Sequence, residues 1–349
     1  MFKKLLSLLL VSCLVLFSMV TAPVSYAAPA ADEAEIENAI AGAVRYLQKE
    51  MLAPDYEGVL DWAILGFYAA GKDVEILSRK REAQIKNGEM ISEFKNTDYQ
   101  RTILAALAAG KKPDEYGGRK LVAKVKASQM VSGKFADSVN GTGERLVNAH
   151  IWGIISLYAA GEDIPNADKA LQWLVEHQNT DGGFGIDTEI QGSDVDITAM
   201  AIIAMACLGQ DDRYPPVQRA LAYLKKQQND DGSFGAWGTP AAESCAQVVQ
   251  ALVMLGLDPA GDEWSKGGGN PVTGMLKYRL KDGSFSHGSE LLPNDMATVQ
   301  ALLALTDYYT GQSIYSRLRL AQRPVVNNLP AGSETDTMTK AVRMKPVID

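Results

Sequence analysis

The sequence predicts an all-α fold, an α/α toroid in which about six helical hairpins form two concentric layers of helices. Three observations carry this: a turn motif that returns about every fifty residues, two helical stretches of different character in each interval, and glycines that close the second stretch at matching places. The motif is clearest as Gln178-Asn179-Thr180-Asp181-Gly182-Gly183-Phe184 and Gln228-Asn229-Asp230-Asp231-Gly232-Ser233-Phe234. Shorter copies stand at Lys281 to Phe285 and at Gln129 to Phe135. The phenylalanines at 135, 184, 234 and 285 lie 49, 50 and 51 residues apart, a regularity that marks a structural repeat.

Within each interval the first stretch is amphipathic, as in Ala167 to His177 and Pro216 to Gln227, with apolar residues at three- and four-residue steps. The second is apolar nearly all round, as in Thr198 to Leu208 and Ala246 to Leu255, so it is buried on most sides. Each hairpin therefore offers an outer and an inner helix. Gly71, Gly110, Gly161, Gly209 and Gly256 follow the inner stretches and suit left-handed C-terminal caps. Asp61, Asp98, Asn148, Asp194 with Asp196, Glu243 and Asp295 stand at their starts, where such side chains satisfy free N–H groups and the positive helix end. An open solenoid would need polar end caps, whereas inner helices this apolar are better covered by closing into a ring.

The toroid is expected over residues 35–311, after a signal peptide at 1–27 and a short linker at 28–34. Lys3 and Lys4 precede an apolar run from Leu5 to Val20, and Ser25-Tyr26-Ala27 supplies the small residues of a cleavage site. The expected localisation is secreted or cell-wall associated, with no membrane span after cleavage. Residues 312–349, with Pro324, Pro330, Pro346 and Gly332-Ser333-Glu334-Thr335, read as an extended or disordered tail. Net charge is −8, and loss of Lys3 and Lys4 takes it to about −10, which argues against a nucleic-acid partner. Cys207 closes one inner helix and Cys245 opens the next, so parallel helices would part them by roughly 15 Å. A disulfide bridges Cα atoms within about 7 Å, so both are expected as free, buried thiols. His150 and His177 read as packed or solvated helix residues.

The turn motif resembles the repeat of squalene–hopene cyclases and of protein prenyltransferase β-subunits, and Asp194-Val195-Asp196-Ile197-Thr198-Ala199 resembles the cyclase Asp-Val-Asp-Asp-Thr-Ala motif. Gly192 to Pro259, with Trp237-Gly238-Thr239-Pro240 and Glu243-Ser244-Cys245-Ala246-Gln247, is most similar to exported bacterial prenyltransferase/squalene-oxidase repeat proteins. Such a toroid is also similar to the α-domain of intrinsic factor and transcobalamin, which implies a cobalamin-like ligand by fold alone. The resemblance implies Asp196 as the acid of a class II terpene cyclase and Asp194 as its support, although Ile197 replaces the third aspartate of the motif. It also sets Glu243-Ser244-Cys245 where prenyltransferases carry zinc ligands. Ala297 stands where their histidine should be and His287 lies in the turn, so no metal is expected. An (α/α)6 glycoside-active enzyme would need two facing carboxylates, which Asp61, Asp194, Asp196, Glu243 and Asp295 could supply. The leading expectation is a non-catalytic surface module that binds a small molecule, glycan or peptide. Its ligand would meet the rim of the inner helices at Asp61, Asp194, Asp196, Trp237, Glu243 and Asp295, beside the turns of Phe184, Phe234 and Phe285.

Overall fold

A computed structural model describes residues 32–53, 56, 60–89, 91–236 and 239–323. The expected signal peptide, most of the expected tail and Trp237 lie outside them. Six hairpins follow one another: α1 Glu33–Met51 with α2 Asp61–Ala69, α3 Glu75–Lys86 with α4 Asn96–Ala108, and α5 Leu121–Ala127 with α6 Val147–Ala159. Then come α7 Ala167–Glu176 with α8 Val195–Cys207, α9 Pro215–Gln227 with α10 Ala242–Met254, and α11 Pro271–Leu276 with α12 Asp295–Thr310. The even-numbered helices pack each on the next, and α12 packs on α2, so the inner ring closes. The odd-numbered helices are amphipathic and stand outside it. A two-residue pair, β1 Gly235–Ala236 against β2 Thr239–Pro240, interrupts the approach to α10.

The repeated turn is the fastener between neighbouring hairpins. In its first three copies the glutamine amide of Gln129, Gln178 or Gln228 donates to a carbonyl of its own turn, at Gly133, Gly182 or Gly232. The same amide donates to the connection entering the next repeat, at Pro165, Pro216 or Trp264. The turn glycine must be glycine for two reasons: its φ is positive, and a Cβ would strike the neighbouring backbone. At Gly283 that neighbour is Gly42 on α1, where a Cβ would come within 2.5 Å of the carbonyl oxygen. Arg279 takes the glutamine's place there and donates to the backbone and side-chain oxygens of Asn38, both at 2.9 Å. The last repeat thus grips the first helix, and the ring is sealed by the contact used between the other repeats.

Each turn phenylalanine is fully buried, and its backbone N–H is accepted by one residue of the following inner helix. That acceptor is His150 Nδ1 for Phe135, Thr198 Oγ1 for Phe184, Cys245 Sγ for Phe234 and Thr298 Oγ1 for Phe285. Phe184, Phe234 and Phe285 are therefore core residues, not the binding surface expected of them, because an aromatic ring there plugs the hairpin interior. The capping glycines behave as expected: Gly71, Gly110, Gly161, Gly209 and Gly256 all have φ between +65 and +85.

The expected boundary at 311 is displaced. Gly311 ends α12 in the left-handed region, and residues 314–321 then form a further helix, α13 Ile314–Ala321. Ser313 caps it, and Ile314, Tyr315 and Leu318 are fully buried. The helix is stitched to the C-terminal ends of the inner ring. Arg317 donates to Ala69 O at the end of α2 and to Asp307 on α12, and Arg319 donates to Tyr158 O on α6. Ser316 reaches the Met254 sulfur on α10. Its burial on so many inner helices makes α13 a plug across one end of the ring. Among the described residues no helix is long and apolar enough to cross a membrane.

Candidate functional site

The acids expected at one rim have different fates. Asp61 is not at a surface at all. Its carboxylate is buried and accepts a bidentate pair from Arg81 of α3, at 2.8 and 2.9 Å, and a further bond from Arg101 Nε at 3.0 Å. It is a structural ion-pair centre joining the first two hairpins. Asp295 is half-buried and accepts the Tyr46 hydroxyl at 2.9 Å, a contact from the last inner helix to the first outer one. Asp98 accepts the Ser92 backbone N–H and pairs with Arg101.

Asp194, Asp196 and Glu243 do come together, at the N-terminal ends of α8 and α10. Asp194 caps α8 through Oδ1, which accepts the Ile197 N–H at 3.0 Å, while its Oδ2 is buried without a partner. Burial raises its carboxyl above the usual range against that cap. Asp196, half-buried in the first turn of α8, is pushed up to about 6, first by burial and then by the charges of Asp194 and Glu243. Its Oδ1 has no hydrogen-bond partner. Glu243 Oε1 meets His287 Nδ1 at 3.0 Å, and that bond raises the exposed imidazole above its ordinary value. Glu243 Oε2 is buried and unpartnered. Beside them Gln247 donates to Gln300 at 2.9 Å and leaves its own carbonyl oxygen without a donor. The mouth thus gathers acceptors, with His287 the one basic group felt by Asp196. In the sequence His287 stands in a turn, and its acidic partner lies 44 residues away.

Beneath this mouth aromatic side chains meet across the ring. Trp62 on α2 and Trp152 on α6 stand on helices separated by α4, yet their rings meet at 5.2 Å between centroids, so the contact crosses the interior. Trp152 in turn meets Tyr315 of the plug at 6.1 Å. Below, Gln250 on α10 donates to Asp307, which is fully buried against Arg317. A broad open depression of about 740 Å³ lies at the other rim, where α2, α4 and α6 end, lined by Tyr68, Leu107, Ala109, Ala160 and Gln322 among others. The rim of acids and this depression are therefore on opposite ends of the ring.

Cys207 and Cys245 are free and buried, as expected, with burial raising both thiols. His150 is buried between Phe135 N–H and Ala170 O, and burial drives its imidazole down to about 3, so it is neutral. His177 stacks on Trp173. Among the described residues no three His, Cys, Asp or Glu side chains are grouped to hold a metal. Since Thr198 and Thr298 occupy the Cys245 position in adjacent repeats, Cys245→Thr is expected to change stability by less than about 1 kcal/mol in urea unfolding. A thiol required for metal or catalysis would not tolerate that exchange.

The sequence of residues 186–267 matches the squalene-hopene cyclase C-terminal domain. The type II terpene cyclase MstE from Scytonema, in complex with geranylgeranyl dihydroxybenzoate, superposes with a TM-score of 0.60 at 13% identity, over 80% of this chain and 99% of that one. The chain shares the α/α toroid fold of the terpene cyclases and protein prenyltransferases. Candida albicans protein geranylgeranyltransferase-I complexed with GGPP is similar at a TM-score of 0.52 and 14% identity, over 77% of this chain and 90% of that one. An unsaturated glucuronyl hydrolase specific for heparin is similar at 0.55 and 14%, over 79% and 97%. No curated protein sequence matches the chain. At these identities the toroid is shared and the chemistry is not thereby assigned.

Proposed function

We propose that the protein is a secreted or cell-wall-associated binding module that holds a small-molecule, glycan or peptide ligand at the N-terminal mouth of its inner ring. One observation carries this reading: buried oxygens of Asp194, Asp196, Glu243 and Gln247 face no donor, around a single mouth. Unsatisfied buried acceptors are costly, and sites that keep them are built to be completed by a ligand's N–H or O–H groups. Glu243→Gln keeps the shape and removes the charge. It is expected to weaken ligand binding, read by calorimetry, about tenfold or more while leaving the unfolding midpoint within a few degrees. Unchanged affinity would contradict the assignment of the mouth.

A cyclase reading has one observation in its favour. Asp196, held up at about 6 beside two further carboxylates, resembles an acid kept protonated for use. Incubation with squalene or a geranylgeranyl-bearing substrate distinguishes the two: a cyclised product made by the wild type and lost in Asp196→Asn would replace the binding reading.

A further inference from the structure

We infer that the mouth recognises a protonated primary amine carried on an apolar chain. This rests on the binding reading above and narrows it to a chemical class. Three features converge. First, Asp194, Asp196 and Glu243 gather with His287 as the basic group among them, and His287 is spent on Glu243 Oε1, leaving the buried Oε2 without a donor. Second, Ser244, 1% exposed, steadies the ionised form of Asp196, and Gln247, 3% exposed on the next turn of the same helix, keeps its carbonyl oxygen without a donor. Amide and carboxylate oxygens without donors suit an ammonium, which brings three donors and the compensating charge. A neutral hydroxylated ligand would supply donors and leave the carboxylates mutually repelling.

Third, the loop that delivers His287 presents apolar side chains to solvent a few residues later. Leu291 is 59% exposed, Leu292 63% and Met296 44%. Leu291 is held at φ +53, a left-handed conformation that leucine seldom adopts and that costs on the order of 1 kcal/mol. Met296 is tied to the same mouth, since Gln300, the partner of Gln247, also reaches its sulfur. An acidic pocket with an apolar lip matches an amine whose attached chain is hydrophobic. Two sources carry that chemistry: the free N-terminus of an apolar peptide, and a simple long-chain alkylamine.

The test is calorimetric titration of the full chain with four probes: leucyl-leucine amide, its N-acetylated form, n-hexylamine and n-hexanol. Binding of the two amines, with N-acetylation or replacement by the alcohol weakening it at least tenfold, supports the inference. Loss of amine binding in Glu243→Gln and in the second, independent variant Ser244→Ala would locate it at the mouth. Preference for the dipeptide over hexylamine assigns the peptide source, and the reverse assigns the alkylamine. Equal binding of acetylated and free dipeptide, still lost in Glu243→Gln, would overturn the amine while leaving the binding mouth intact. Amine binding unaffected by either variant would overturn both, as would failure of all four probes together with a panel of neutral sugars.

Discussion

Asp61→Ala is expected to destabilise the protein by about 3–5 kcal/mol, which would lower the urea midpoint severely or prevent accumulation of folded protein. Asp61 accepts from the Nε and one terminal nitrogen of Arg81 and from the Nε of Arg101, with the carboxylate and Arg81 wholly out of solvent. Removing the carboxylate leaves Arg81 fully buried with no countercharge in place, and Thr102 loses an acceptor. The cost comes from the stranded charge more than from the lost bonds. Asp61→Asn should fall between, since it keeps an acceptor but not the charge. Were Asp61 a ligand contact instead, alanine there would spare stability and abolish binding.

The opposite sign is expected three ring positions away. Asp196→Asn should stabilise the protein at pH 7.5 by about 2 kcal/mol, and the gain should vanish by about pH 4. The folded-state carboxyl lies near 6, above its unfolded value of 3.8. Such a group binds its proton more tightly in the fold, so its stabilising contribution is complete below about pH 4 and is lost as pH rises through 6. At pH 7.5 the wild type therefore carries an ionised, poorly solvated aspartate that asparagine does not. Asp307, also pushed up to about 6 by burial, contributes a parallel slope to the wild type that survives in the variant. Urea unfolding at pH 7.5 and pH 4 checks this. A pH-independent loss would show that Asp196 is an ordinary helix-start residue. A gain in stability coupled to loss of ligand is the mark of a carboxylate kept for function.

Much of the architecture was readable because the repeat repeats for a steric reason. Gly182 and Gly232 are glycine because the next repeat's backbone passes against them, and Gln178 and Gln228 recur because one amide must satisfy two carbonyls. Such constraints leave the same letters at the same spacing. The seam between last and first repeats kept the glycine and changed the glutamine to Arg279, which is why closure had to be argued from helix apolarity. Residues 314–321 escaped because a helix of eight residues has weak periodicity, although Ser313 as cap and the Ile314, Tyr315, Leu318 spacing are a signature once looked for.

The site was less legible. Acidic residues at inner-helix starts look alike in sequence, and their separation into Asp61, which binds arginines, and Asp194, Asp196 and Glu243, which do not, depends on what the neighbouring outer helix presents. Arg81 lies on α3 among charged residues, with nothing local to say that it points inward. His287 joins the mouth only through the ring's curvature.

The most direct test of the account is native mass spectrometry of the mature protein from its own secreted fraction, beside an Asp194→Asn/Asp196→Asn/Glu243→Gln variant. The account predicts a bound small molecule of defined mass on the wild type, absent from the variant, with both chains folded. A wild type that is exported and folded yet carries nothing, or one whose adduct persists undiminished in the variant, would contradict it.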